Sequence, residues 1–241
     1  VACSSGTAAL QLALRVIGVK ENEEVIMPSM SFIATANAVR YLKATPIFMD
    51  CDNFYNLDIK KFTRFLTENT YMKKGYTFNK RTKKKISAII SVHVSGNAVD
   101  LYALIKLCKK KKIKIVEDAA EALGTFYNNG ALKQKHAGTV GDIGCLSFNG
   151  NKIITSGGGG MIITNNKKLA KEARYLSTQA TDDSIRYIHN DIGYNYRLTN
   201  IQAAVGCAQL EKINFFIKRK KQIYNFYKNS FLNSKFISFA S

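Results

Sequence analysis

Lys152 has the sequence context of a reactive amine. It ends a polar turn in the segment 147–152, SFNGNK, and four consecutive glycines follow at 157–160. A short apolar strand is predicted before the turn and a second one after the glycines, at 161–164. A lysine held on a rigid turn can form a Schiff base with a carbonyl group. Taken alone, the segment fits a reactive lysine and an ordinary solvated lysine equally well, because the pattern is not a general motif.

The acidic segment 116–121, VEDAAE, is the second candidate. It completes a predicted strand, and Asp118 is expected at the carboxyl end of that strand, partly buried. A buried carboxylate needs a compensating partner. The protonated ring nitrogen of a bound cofactor is one such partner, and the N-terminus of a helix is another.

Two further segments could bind an anion. The segment 4–7, SSGT, precedes a predicted helix, whose first backbone N–H groups and dipole favour a phosphate. Serine and threonine also cap helices where no ligand binds, which is the more common case. In the segment 191–200, DIGYNYRLTN, Asn195 and Arg197 could bind a phosphate or a carboxylate, or hold the loop together.

These parts together match what a pyridoxal 5′-phosphate (PLP) enzyme needs. Such an enzyme uses a lysine for the aldehyde, an acid for the ring nitrogen, and amides and hydroxyls for the phosphate. Lys152, Asp118 and the segment 4–7 could fill these roles, with Ser147 just ahead of the lysine turn. Phe32 follows a predicted strand and could pack on the cofactor ring.

Strands and helices alternate along the chain, and this alternation must position the candidates. Strands are predicted near 24–27, 46–50, 86–92 and 113–117, and helices near 7–17, 32–42, 57–66 and 101–112. The pattern predicts an α/β fold with a mainly parallel sheet and helices on both faces. Ligands of such sheets bind at the carboxyl ends of the strands, so the candidates should meet there.

The rest of the chain gives weaker signals. Residues 70–85 are polar and basic, which predicts an exposed loop or hairpin. A helix is predicted at 168–176, and a long helix begins near Thr199 with an apolar face formed by Ile201, Ala204, Val205 and Ala208. The basic, aromatic tail at 215–241 is predicted to form a helix.

Composition narrows the class of protein. The chain has 241 residues and 46% hydrophobic residues, enough for a substantial core. Its five cysteines are widely spaced with no C-x-x-C pair, which argues against a disulfide framework or a metal cluster and favours the cytoplasm. There is no apolar run long enough to span a membrane and no signal-peptide pattern.

The net charge of +19 could indicate binding to nucleic acid. Much of this charge lies in three separate basic runs, near 80–85, 109–112 and 218–221. Because the runs are scattered and lack interleaved aromatic residues, solvated surfaces explain them better. A positive field could also favour an anionic substrate such as a nucleotide.

Five motifs in order resemble the sugar aminotransferases of the DegT/DnrJ/EryC1/StrS family, which are fold-type I PLP enzymes. They cover nearly the whole chain up to about residue 212. The five motifs are SSGTAAL at 4–10, PSMSFIATANA at 28–38, VEDAAEALG at 116–124, GDIGCLSFNGNKIITSGGGG at 141–160 and GYNYRLTNIQAA at 193–204. The resemblance implies the cofactor-binding large domain at 1–212, with an N-terminal segment apparently missing. It also implies that residues 213–241 begin a truncated small domain or a connecting helix.

The resemblance implies that eight residues bind the cofactor: Gly6, Thr7, Phe32, Asp118, Glu121, Ser147, Lys152 and Asn195. Lys152 would bind the aldehyde and act as the catalytic general base. Asp118 would pair with the ring nitrogen, and Glu121 would lie near the phenolic oxygen. The phosphate would contact Gly6, Thr7 and Ser147, and Phe32 would stack on the ring.

In this family, the asparagine that corresponds to Asn195 reaches the phosphate in the neighbouring subunit. The resemblance therefore implies a homodimer with shared active sites. Some relatives have histidine in place of the lysine and carry out deoxygenation. The presence of Lys152 therefore favours transamination.

The lysine turn with its four glycines looks most like the branch that makes legionaminic acid and bacillosamine precursors. That likeness implies a UDP-linked, N-acetylated 4-keto-6-deoxy sugar as substrate and L-glutamate as amino donor. A GDP-perosamine synthase is the alternative within the family. A basic nucleic-acid-binding protein and a regulatory relative that binds PLP without transaminating are alternatives of other classes.

Overall fold

The computed structural model describes residues 1–237 and 239. Within them the chain forms nine strands: β1 (Ala2–Cys3), β2 (Glu24–Pro28), β3 (Thr45–Met49), β4 (Thr70–Lys73), β5 (Tyr76–Asn79), β6 (Lys85–Val92), β7 (Lys114–Asp118), β8 (Ile143–Ser147) and β9 (Gly160–Ile163). The α-helices of the same residues are α1 (Gly6–Val16), α2 (Ile33–Tyr41), α3 (Ile59–Glu68), α4 (Leu101–Lys111), α5 (Lys167–Ser177), α6 (Asn200–Glu211) and α7 (Ile213–Ser230).

All nine strands join one sheet, in which seven follow the order β1-β9-β8-β7-β6-β2-β3. The neighbours from β8 to β3 are parallel, whereas β9 runs antiparallel to both β8 and β1. Because β9 is reversed between them, β1 and β8 point the same way. The carboxyl ends of β1, β2, β6, β7 and β8 therefore share one edge of the sheet. The prediction of an α/β fold with a mainly parallel sheet is confirmed.

Helices cover both faces of the sheet because its central strands are apolar on both sides. Seven of the eight residues of β6 are buried, as expected of a strand packed on two faces. One core cluster joins the sheet to α1, α2 and α5, through side chains such as Leu14, Val39 and Leu176. A second joins it to α3 and α4, through side chains such as Phe62 and Leu104.

The segment 70–85 forms a hairpin, as predicted. Strands β4 and β5 pair antiparallel, and β5 continues onto the start of β6 through the pair Thr77–Ile86. The hairpin therefore extends the sheet at the amino end of β6, on the side away from the carboxyl edge.

The long helix predicted near Thr199 forms as α6, and a threonine–glutamine capping box fixes its start. Its predicted apolar face is not buried against this chain, because neither α6 nor α7 contains a buried residue. Ile201, for example, is 80% exposed. The predicted division of the chain at residue 212 stays a prediction.

No helix in the described part of the chain is both long and apolar enough to cross a membrane. Among the same residues, His, Cys, Asp and Glu side chains form no group of three or more that could hold a metal ion.

Candidate active site

A cavity of about 550 Å³ opens at the carboxyl edge of the sheet. It lies between the start of α1, the loop after β2 and the ends of β6, β7 and β8. Seven of the eight predicted cofactor-binding residues line it: Gly6, Thr7, Phe32, Asp118, Glu121, Ser147 and Lys152. Segments that are far apart in sequence thus meet at the carboxyl ends of the strands, as predicted for a parallel sheet.

Asp118 is the last residue of β7 and is more deeply buried than expected, with 6% of its surface exposed. Thr35 Oγ1 donates a hydrogen bond to its Oδ2 at 2.7 Å, and the backbone N–H of Ala120 donates to Oδ1 at 3.2 Å. Burial raises the pKa of Asp118 despite these bonds. None of the ion pairs among the described residues involves this carboxylate. Asp118 is therefore a buried acid that a cationic partner in the cavity would stabilise.

Lys152 lies on the turn after β8, where its backbone N–H donates to Asn149 O at 3.1 Å. Its side chain is 16% exposed, and Nζ is 3.3 Å from Glu121 Oε1. The other carboxylate oxygen of Glu121 accepts a hydrogen bond from the backbone N–H of Ser95 at 2.8 Å. Glu121 therefore links the lysine to the loop after β6 and holds Nζ inside the cavity.

The start of α1 forms an anion cradle. Ser5 caps the helix, because its hydroxyl accepts a hydrogen bond from the N–H of Ala8 at 3.0 Å. The first N–H groups of a helix have no partner within it, so the start of α1 can offer N–H groups such as that of Thr7 to a ligand. A Cβ on Gly6 would lie 2.8 Å from Ser147 Cβ, so only glycine lets α1 approach the end of β8 this closely. The serine hydroxyl is thereby brought to the helix N-terminus.

The glycine tract at 157–160 joins this cradle to the lysine turn. The N–H of Gly159 donates to Ser4 O at 3.0 Å, and its carbonyl accepts from the N–H of Phe148 at 2.9 Å. Gly157 and Gly159 have φ values of 77° and 110°, which favour glycine. A Cβ on Gly160 would overlap the backbone of Ser5. Backbone conformation and close approach together explain Gly157, Gly159 and Gly160, which the sequence alone did not.

Gly160→Ala is expected to lower the free energy of unfolding by about 1–3 kcal/mol, because its methyl group would enter space that the Ser5 backbone occupies. Gly150→Ala is the matched control on the lysine turn, since a Cβ there would meet no atom within 4 Å. The control should stay within about 0.5 kcal/mol of wild type. Urea denaturation measures both, and equal stability of the two variants would contradict the packing role of Gly160.

The family of the chain follows from comparison with known proteins. The model of the DegT/DnrJ/EryC1/StrS aminotransferase family matches residues 1–239. The chain belongs to this family. It is 40% identical over 227 residues to the GDP-perosamine synthase of Escherichia coli O157:H7, a match that covers 94% of this chain and 57% of the relative.

Two other members show the range of the likeness. The UDP-4-amino-4,6-dideoxy-N-acetyl-beta-L-altrosamine transaminase of Campylobacter jejuni is 32% identical, over 98% of this chain and 58% of that protein. The solved PLP form of Spr1654 from Streptococcus pneumoniae superposes with a TM-score of 0.82 at 27% identity, over 98% of this chain and 60% of that one. The chain thus spans somewhat more than half the length of these proteins and has the fold of the PLP aminotransferases.

PLP is the cofactor of this aminotransferase family, and the residues of the cavity fit it. The helix N-terminus at Gly6 and Thr7, with Ser147, suits its phosphate. Asp118 is a buried acid with no ion-pair partner among the described residues, which suits a protonated ring nitrogen. Lys152 Nζ supplies the amine that an aldehyde requires.

The cofactor contacts predicted for Phe32 and Asn195 are not tested by the lining of the cavity. Phe32 precedes α2 and lines the cavity, but 76% of its surface is exposed, so its stacking on a ring stays a prediction. Asn195 does not line the cavity. It forms a bridge with Thr178 and its side chain is exposed, so its contact with a phosphate also stays a prediction.

Three polar residues of this region were not predicted from the sequence. Thr35 lies on α2 and donates to Asp118, and no local pattern distinguished it from an ordinary helical threonine. His93 and Glu117 form a buried pair at the ends of β6 and β7. The position of His93 directly after an apolar strand was a signal that could have identified it.

Proposed function

We propose that this chain is the cofactor-binding part of a PLP-dependent nucleotide-sugar aminotransferase. The observation that carries the proposal is one cavity holding the amine of Lys152, the buried carboxylate of Asp118 and the anion cradle at the start of α1. Family membership supports the same activity.

Each of these residues has a distinct task in transamination. When bound, PLP supplies an electron sink for the carbon that gains or loses a proton. The carboxylate of Asp118 would keep the ring nitrogen protonated, which would favour that sink. Lys152 Nζ would carry the proton within the cavity, and Glu121 would orient the amine. The start of α1, at Gly6 and Thr7, would hold the phosphate end.

The substrate that we propose is a 4-keto-6-deoxy sugar linked to a nucleoside diphosphate, with L-glutamate as amino donor. The lysine turn favours a UDP-linked, N-acetylated sugar, and the transaminase of Campylobacter jejuni supports that choice. A GDP-linked sugar is the second candidate, because identity to the Escherichia coli GDP-perosamine synthase is higher, at 40% against 32%.

A labelling experiment tests the cofactor and the reaction in turn. The protein is incubated with PLP and reduced with borohydride, and peptide mass spectrometry is expected to locate the cofactor on Lys152. Added L-glutamate should shift the absorbance of the bound cofactor, and UDP-linked and GDP-linked keto sugars should then restore it selectively. Binding without a response to L-glutamate would favour the regulatory alternative, and failure to bind PLP would overturn the proposal.

We also propose that two copies of the chain share their active sites. The exposed position of Asn195, outside the cavity of its own chain, supports this arrangement. Sedimentation of the protein with and without Asn195→Ala, together with its PLP affinity, tests the idea. We expect the Asn195→Ala variant to bind PLP more weakly, whereas the sedimenting particle keeps the mass of a dimer. The cytoplasmic setting expected from the cysteines stays a prediction.

A further inference from the structure

His93 and Glu117 form a fully buried pair at the wall of the cavity, which His93 helps to line. Both side chains are 0% exposed, and His93 Nε2 lies 2.9 Å from Glu117 Oε2. The backbone N–H of Val99 donates to His93 Nδ1 at 3.2 Å. Because a backbone N–H can only donate, Nδ1 is the acceptor and the ring proton lies on Nε2. His93 therefore donates to Glu117.

The carboxylate of Glu117 also collects three backbone donors from one segment. Its Oε2 accepts from the N–H of Gly138 at 2.6 Å, and its Oε1 accepts from those of Val140 and Gly141 at 2.7 and 2.6 Å. Burial would raise the pKa of Glu117, but these bonds and the one from His93 hold it below its ordinary value. The buried acid is therefore fully satisfied as a carboxylate.

The segment 138–141 leads directly into β8. A Cβ on Gly138 would lie 2.9 Å from Ala119 Cβ, and a Cβ on Gly144 of β8 would overlap the backbone of Gly138. The segment is thus in close contact with the residue after Asp118 and with the strand that ends at the lysine turn. A shift of 138–141 cannot leave both of these unchanged.

His93 contacts β7 at two consecutive residues. Its side chain donates to Glu117, and its backbone N–H donates to Asp118 O at 3.1 Å. Because Glu117 and Asp118 are consecutive residues of β7, their side chains lie on opposite faces of the strand. Glu117 points to the face where 138–141 is held, and Asp118 points to the cavity.

We propose that His93 and Glu117 are positioning residues, which fix the distance between Asp118 and Lys152 by holding β6, β7 and segment 138–141 in register. Neither residue needs to touch the reacting atoms. The role in cofactor binding rests on the proposed function above, whereas the role in holding the segment does not.

Glu117→Gln tests this role without changing side-chain volume. All four partners of the carboxylate are donors, two on each oxygen. The amide NH₂ of glutamine must therefore face two donors in either orientation. We expect the dissociation constant for PLP to rise by about tenfold or more, because small displacements at a preorganised site are costly. Glu117→Asp, which keeps the negative charge, should raise the dissociation constant for PLP by less than Glu117→Gln does.

Two control variants separate positioning from stability. Glu24→Gln makes the same chemical change in a buried carboxylate at the start of β2, where the Asn79 amide donates at 3.0 Å and a glutamine oxygen can still accept. Leu66→Ala removes a buried side chain of α3 and lowers stability away from the cavity. Both should bind PLP within about twofold of wild type.

Amide hydrogen exchange provides a readout that needs no cofactor. In Glu117→Gln, exchange should rise selectively in residues 138–147, whereas Leu66→Ala should raise it around α3. ¹⁵N-histidine spectra of the wild type should show His93 protonated on Nε2 alone. Unchanged exchange at 138–147, or PLP affinity equal to that of the controls, would overturn the positioning role. If exchange rises at 138–147 in Glu117→Gln as expected but the wild type binds no PLP, only the proposed function is overturned.

Discussion

Lys152→Ala is expected to lower the transamination rate by at least about 1,000-fold. The variant loses both the amine that binds the cofactor aldehyde and the group that carries the proton. Steady-state kinetics with L-glutamate and the keto sugar measure the rate. Borohydride labelling measures the covalent attachment, which should disappear.

The control for this variant is Lys168→Ala on α5, an exposed lysine outside the cavity. It should retain wild-type kinetics and the label on Lys152. Because Lys152 is on a turn and partly exposed, its replacement should leave the unfolding free energy nearly unchanged. Covalent label that persists elsewhere on the Lys152→Ala variant, with activity retained, would contradict the assignment.

Asp118→Asn is expected to reduce the same rate by about 100-fold or more, because a neutral amide no longer favours a protonated ring nitrogen. The side-chain volume is nearly unchanged, and the amide oxygen can still accept the hydrogen bond from Thr35 Oγ1, so that only the longer bond from the N–H of Ala120 is lost. The loss is therefore electrostatic, and kcat should fall more than KM rises. Glu172→Gln, on the exposed face of α5, is the control and should behave as wild type.

The same substitution should have an opposite effect on the stability of the cofactor-free protein. Burial raises the pKa of Asp118 in the folded state. The stability contributed by such a group is complete at acid pH and is lost as the pH rises through the raised value. The difference in unfolding free energy between Asp118→Asn and wild type should therefore grow in favour of the variant from about pH 4 to pH 8. Urea denaturation across that range tests the sign, and a constant difference would contradict it.

Much of the site could be predicted because strand ends have sequence signals. The apolar runs before Asp118 and Lys152 predicted two strands, and the parallel-sheet rule then predicted that their carboxyl ends share an edge. Gly6 was predicted from the segment SSGT ahead of a helix, and Ser147 from its place just before the lysine turn. The packing of Gly6 against Ser147, however, is a contact between distant segments and has no local signal.

The remaining features depend on tertiary contacts that periodicity does not encode. Thr35 acts through a hydrogen bond to a residue 83 positions away. Glu117 has the pattern of an ordinary strand residue, and its role becomes visible only when the segment 138–141 is placed beside it. The helix α6 was predicted correctly, but the apolar face predicted for it is not buried against this chain.

The pairing of β1 with β9 has a consequence for biosynthesis. Strand β1 pairs with β9, which comes last among the strands of the described residues, and Ala2 is opposite Met161. The backbone N–H of Ser4 also donates to Tyr196 O. A chain emerging from the ribosome can form the helix α1 early, but its phosphate cradle must wait for these late segments. The parts proposed to bind the cofactor are therefore among the last to assemble, so we expect that a nascent chain cannot capture PLP before these late segments have been made.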